Sequence, residues 1–230
     1  AMIRNAPALM ALAGRTISRL TTGERLAHKD EIILDEGTVK SLAGNVKAGE
    51  ERTDAETSEK FFILDSLTAP AGPLTGSASD GMDLPLESLR PWLLPAVYRL
   101  EQSELDSFLT ELRPAVPVFV NFSGIDYDED NEAEEKLNAF IRHAQQVVTK
   151  YDGALLQLVI GDKGSYFYLV FGAPIAHEDD AQRAVSAALE IKQTLKQFEY
   201  IRSLQIGISL GTLRVGAYGS STRRTYAALG

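Results

Sequence analysis

The chain of 230 residues contains no cysteine, which excludes disulfide staples and thiolate metal sites. No run comes near the ~20 consecutive apolar residues that a helix needs to cross a bilayer. The start lacks the basic-then-apolar pattern of a secretory signal. These absences set the expectation of a cytoplasmic protein with no membrane partner. Positive charge is the minority sign: 23 Lys and Arg stand against 32 Asp and Glu, a net charge of −9. So acidic a surface argues against non-specific binding to nucleic acid or anionic lipid, which needs a basic patch. A nucleotide stays open, because a divalent cation can neutralise its phosphates locally. What is there is an ordinary globular balance, 44% hydrophobic and 24% charged. The length allows one or two domains.

Two stretches shift in composition. Thr68–Pro85 is rich in Gly, Pro, Ser and Ala and reads as a linker or long loop. Asn45–Glu59 is charged with few large apolar residues, and reads as an exposed loop or hairpin tip. Residues 86–113 carry a helical apolar pattern broken by Pro91 and Pro95. It fits either a helix on its own core or an amphipathic connector, with Trp92 an anchor against protein. The organisation expected is residues 1–66, a linker and connector over residues 67–115, and a domain over residues 116–230.

That last domain has the clearest pattern. Val116–Phe122 is an apolar run and predicts a strand. Leu137, Phe140, Ile141, Ala144, Val147, Val148 and Tyr151 then fall at helical spacing. Asp152-Gly153 turns into a strand over Ala154–Ile160, and GDKG at 161–164 turns into Tyr166–Phe171. A helix follows, capped within His177–Asp180, with Ala181, Ala184, Val185, Ala188, Leu189 and Leu195 as its apolar face. Leu204–Leu210 and Thr212–Tyr218 complete the list as strands. The order is βαββαβ plus one strand, a ferredoxin-like α+β fold: an antiparallel sheet with helices packed on it.

Five of these stretches resemble, in order, the class III adenylate/guanylate cyclase homology domain. They are VFVNFSGI at 118–125, IGDKGSYFYLVFGAP at 160–174, AHEDDAQRAVSAAL at 176–189, IGISLGTLRVGAYG at 206–219 and RRTYAALG at 223–230. GDKG with AHEDDAQRA is similar to the second domain of tandem, soluble adenylyl cyclase-like proteins. GERLAHKDEIILDEGTVKSL at 23–42 and KFFIL at 60–64 resemble the end of a first such domain. The resemblance therefore implies a fragment: the tail of one cyclase domain and most of a second, C-terminally incomplete. An unfinished sheet would expose strand edges, so residues 1–66 are expected to pack against residues 116–230 and complete one fold, within or between chains.

In the family, two aspartates hold two divalent ions that activate the nucleophile and clamp the triphosphate. The resemblance places these at Asp162, retained, and at Asn121, where the family has Asp. An amide oxygen ligates a hard cation without contributing charge, so Mg or Mn is expected to bind weakly at most. The base-reading Lys falls near Gln157 and Leu158, and the second base-reading position is Ala227. Neither Gln157 nor Ala227 is cationic, and Ala227 offers no hydrogen bond. No catalytic residue is assigned.

Other patterns are weaker. Asp126, Asp128 and Asp130 begin like a calcium loop, but Asn131 stands at its glycine and Leu137 at its closing glutamate. They read as a solvated loop that caps the next helix. His177 beside Glu178, Asp179 and Asp180 reads as a helix start.

Three readings remain from the sequence. One is a degenerate pseudoenzyme module that pairs with a catalytic cyclase domain, in the same chain or as a homodimer, and holds ATP weakly. Another is a working half that converts ATP to cyclic AMP and pyrophosphate. The third is a structural interaction domain with no ligand.

Overall fold

A computed structural model of the chain describes residues 8–9, 11–42, 44–69, 72, 85–95, 97–98, 110–161, 164–219 and 224–230. Two compact units form, the smaller within residues 13–83 and the larger chiefly over residues 84–230.

The smaller unit runs α1 (Arg15–Leu26), β1 (Ile33–Asp35), α2 (Glu36–Ser41), β2 (Val46–Thr53) and β3 (Lys60–Leu67). Its strands form one antiparallel sheet in the order β1-β3-β2. Asp35 ends β1 and starts α2, because its carboxylate accepts the Thr38 amide at 2.8 Å, an N-cap bond. Phe61 on β3 is its buried aromatic residue. Two expectations change here. Within Asn45–Glu59, residues 46–53 are strand β2, its polar side chains exposed and its backbone paired to β3, while residues 54–59 are the tip of the β2–β3 hairpin. Among the described residues the strands between residues 33 and 67 pair with one another and add none to the other sheet, where residues 1–66 had been expected to complete it.

The larger unit begins with a short helix α3 (Leu86–Leu89) and a 3₁₀ turn over Arg90–Trp92. Trp92, expected as an anchor, is exposed. Then come β4 (Glu111–Ser123), α4 (Ala133–Lys150), β5 (Ala154–Gly161), β6 (Gly164–Phe171), α5 (Asp180–Thr194), β7 (Ser203–Ile208), β8 (Gly211–Gly219) and β9 (Arg224–Leu229). The sheet order is β5-β6-β4-β8-β9, with β7 also on β4. This is the α+β architecture expected from the pattern.

β4 is the spine. Its Val116–Phe122 stretch pairs antiparallel with β6, from Phe171 back to Ser165. On its other edge Val118–Ser123 pairs with β7 and Glu111–Ala115 pairs with β8. The strand thus begins before Val116. Leu112, expected in a helical pattern, is strand because it lies opposite Arg214 of β8.

Alternation along β4 divides the sheet into two faces. Val118, Val120 and Phe122 are fully buried with Phe167, Leu169 and Phe171 under α4 and α5. Phe140, Ile141, Ala144, Val147 and Val148 of α4 supply the facing side chains, as their spacing predicted. Each of the Phe, Ile, Leu and Val side chains contributes roughly 1.5–3 kcal/mol on burial. The α5 face is rotated from expectation. Ala184, Ala187, Ala188 and Ile191 are buried, whereas Ala181, Val185 and Leu189 are exposed. Small alanines let this helix approach the sheet closely.

Candidate functional site

The opposite face of β4 carries Phe119 and Asn121. Cross-strand neighbours complete it: Tyr168 and Tyr166 on β6, Gly207 and Gln205 on β7. Phe119, Asn121, Tyr166, Gln205, Ile206 and Gly207 line an open concavity of about 440 Å³. The aromatic rings form a shelf. Phe119 is 53% exposed and stacks on Tyr168 at 4.8 Å between ring centroids, with Tyr166 at 6.0 Å. The Tyr168 hydroxyl donates to the Ala228 carbonyl at 3.1 Å, which holds the ring, and burial pushes its phenol up. Nearby in the sheet, burial pushes the Tyr226 phenol up to about 12.

A loop follows β4 two residues beyond Asn121. Gly124 has φ +126°, and a Cβ there would stand 2.1 Å from the Tyr200 carbonyl oxygen. Only glycine tolerates that backbone and that approach. Asp126 Oδ1 then accepts the amides of Asp128 and Glu129. Asp130 accepts the Glu132 amide and pairs with Lys136 Nζ at 2.7 Å, which holds its carboxyl below the ordinary range. These carboxylates accept amides within the loop, and Asp130 pairs with Lys136 of α4; the helix cap expected of them is not formed, because the N-cap residue is Glu132 with no side-chain cap bond. Tyr127 reaches across to β6, its hydroxyl 2.8 Å from Ser165 Oγ. At the next helix, Asp180 accepts the His177 amide at 2.8 Å.

Of the sequence-assigned positions, Asn121 lies in the concavity. Its side chain lies beside Gly164, where an added Cβ would stand 3.4 Å from the amide nitrogen. Asp162 lies outside the described residues. Gln157 is exposed on β5, and Ala227 sits on β9 opposite Gly216. Neither of them lines the concavity. Sequence reasoning missed Tyr166, Gln205 and Gly207. The signal for Gln205 was available, since a polar residue between Leu204 and Ile206 marks the uncovered face of a strand.

Among the described residues the lining offers amide oxygens from Asn121 and Gln205 and no carboxylate. Among the described residues no group of three or more His, Cys, Asp or Glu could hold a metal ion. These described donors alone bring no charged oxygen of the kind that two hard divalent cations take. The same donors suit a planar, uncharged ring stacked on the aromatic shelf with amides at its edge.

No family model matches the chain. Over 145 residues it is 28% identical to adenylate cyclase type 10 of Homo sapiens, a match spanning 62% of this chain and 9% of that protein. The Rattus norvegicus protein of the same name matches with the same identity and coverage. The chain therefore spans about a tenth of the length of these curated relatives. Among solved structures, a bacterial light-regulated adenylyl cyclase matches with TM-score 0.50 and 18% identity, over 63% of this chain and 44% of that one. The guanylyl cyclase Cya2 gives TM-score 0.47 and 25% identity, over 53% and 66%. The chain is homologous to adenylate cyclase type 10, and its fold is that of class III cyclase domains.

Proposed function

We propose that this nucleotide cyclase homology module is a degenerate half, which pairs with a catalytic cyclase domain and holds ATP weakly. On this reading residues 116–230 are a second cyclase domain, residues 67–115 lead into it, and residues 1–66 are the tail of a first. The observation that carries the reading is Asn121. The resemblance requires a carboxylate there, and the side chain faces the concavity beside Gly164 with no negative charge to bring. Gln157 and Ala227, at the base-reading positions, add no cation. Mg or Mn is accordingly held weakly, with Asp162 the remaining carboxylate of the pair.

The exposed aromatic patch on the Asn121 face of the sheet, beside the buried Ala115, Val170 and Val215, supports the pairing. Phe119, Tyr166 and Tyr168 form an aromatic surface of the kind that a partner covers. A second cyclase domain, in the same polypeptide or in a second copy, is the occupant that the homology favours. The proposed location is the cytoplasm, and among the described residues no helix is long and apolar enough to cross a membrane.

Retained Asp162 favours one other reading, a working half that makes cyclic AMP once its partner is present. Cyclic AMP production by the chain with ATP and manganese, beside Asp162→Ala, separates the two. The degenerate reading expects no product from the chain alone, and product that disappears in the variant overturns it. Mixing in an active cyclase domain tests the pairing: a change in that domain's rate supports it, and an unchanged rate with no complex counts against it.

A further inference from the structure

Tyr127 takes no part in the positions assigned above. It is half-buried in a loop where Asp126, Asp128 and Glu129 are exposed. Its hydroxyl meets Ser165 Oγ at 2.8 Å, and Ser165 is 3% exposed. Ser165 lies opposite Phe122 in the β4–β6 pairing, and Gly164 lies against the Asn121 side chain. The chain thus leaves Asn121 through Phe122 and Gly124 to Tyr127, then returns through the hydrogen bond to Ser165, Gly164 and Asn121 again. One side-chain bond closes that circuit. Burial pushes the Tyr127 phenol up, so it stays a neutral hydroxyl, able to hold this bond.

We propose that Tyr127 is a positioning residue: its hydrogen bond to Ser165 fixes the first residues of β6 against Asn121 and so sets the mouth of the concavity. The consequence for a nucleotide rests on the functional reading above. Loss of the phenol oxygen leaves the buried Ser165 hydroxyl without its side-chain partner, while the ring still fills its place.

The experiment uses the full chain as Tyr127→Phe, Ser165→Ala and the double variant, with Tyr151→Phe as control. Tyr151 donates to Glu190 at 2.8 Å at the end of α4, so the control loses a comparable bond elsewhere. Amide hydrogen exchange is followed at residues 123–127 and 164–166, and ATP binding by calorimetry. Exchange is expected to rise in both segments for either single variant, with no further rise in the double variant. ATP affinity is expected to fall about three- to tenfold, the weight of one hydrogen bond. The control leaves both readouts in place. Unchanged exchange at 164–166 in Tyr127→Phe overturns the proposal. Failure of the unsubstituted chain to bind ATP overturns the nucleotide reading instead, and the exchange arm still decides the role of Tyr127.

Discussion

The Asn121 side chain lies against Gly164 at the start of β6, close enough that a Cβ on Gly164 would touch its amide group. The position of Asn121 is fixed on both sides, by Tyr166 and by Gln205. A carboxylate at residue 121 would therefore enter a defined place.

Asn121→Asp should convert this amide into a hard, charged ligand without altering its shape. We expect Mn²⁺ affinity to rise about tenfold or more, in line with the dependence of such sites on ligand charge. Calorimetric titration with Mn²⁺ alone measures it. Equal affinity in both proteins would separate residue 121 from any metal role.

Gly124→Ala should destabilise the larger unit strongly. Its positive φ and the approach of the Tyr200 carbonyl both forbid a side chain. A loss of about 3 kcal/mol is expected from such strain, read as a lowered urea midpoint.

His143 should make the helix pair acid-sensitive. Its Nε2 lies 2.6 Å from Thr194 Oγ1, and that hydroxyl donates to the Glu190 carbonyl. Burial, opposed by the charge of Glu190, holds the imidazole below its ordinary 6.5. A base with a lowered folded pKa binds its proton more readily when unfolded. The stability concerned is therefore complete above 6.5 and is lost as pH falls through the folded value. Denaturation midpoints measured from about pH 7.5 down to about pH 5.5 should fall further for the wild type than for His143→Gln. Parallel curves would refute the assignment.

Arg52 should govern the acid limb of the smaller unit. Its guanidinium grips both oxygens of Glu31, at 2.7 and 3.0 Å, and donates to the Leu26 carbonyl. The Glu31 carboxyl is lowered from 4.5 to about 2, chiefly by this bond. Its contribution is present above 4.5 and disappears as pH falls toward 2. In Arg52→Ala, a carboxyl titration by NMR should return Glu31 toward its ordinary value.

Sequence periodicity reads best where burial is one-sided and large. Phe140, Ile141, Ala144, Val147 and Val148 predicted the buried stripe of α4, and the apolar run at Val116–Phe122 predicted the heart of β4. Periodicity reads worst where the backbone decides. β2 has almost wholly exposed side chains and is strand only through its bonds to β3. On α5 the inward face belongs to alanines, whose weak hydrophobicity loses to Val185 and Leu189 in any sequence pattern. The site follows the same division. Asn121 was found through a motif, whereas Tyr166 and Gly207 join it only through strand pairing, which links residues far apart in the chain.

β7 and β8 lie end to end along one edge of β4, with Ser209 donating to the Pro117 carbonyl at the join. The same pairing register runs through both. The two residues at that join consequently act like a reading frame. Insertion or deletion of a single residue there would invert the parity of everything downstream. Leu213 and Val215 would turn outward and Arg214 would be driven into the core. Length at this join is thus under tighter constraint than composition. Variation in the lineage of this fold should exchange the residues at 209 and 210 freely, yet leave their number alone.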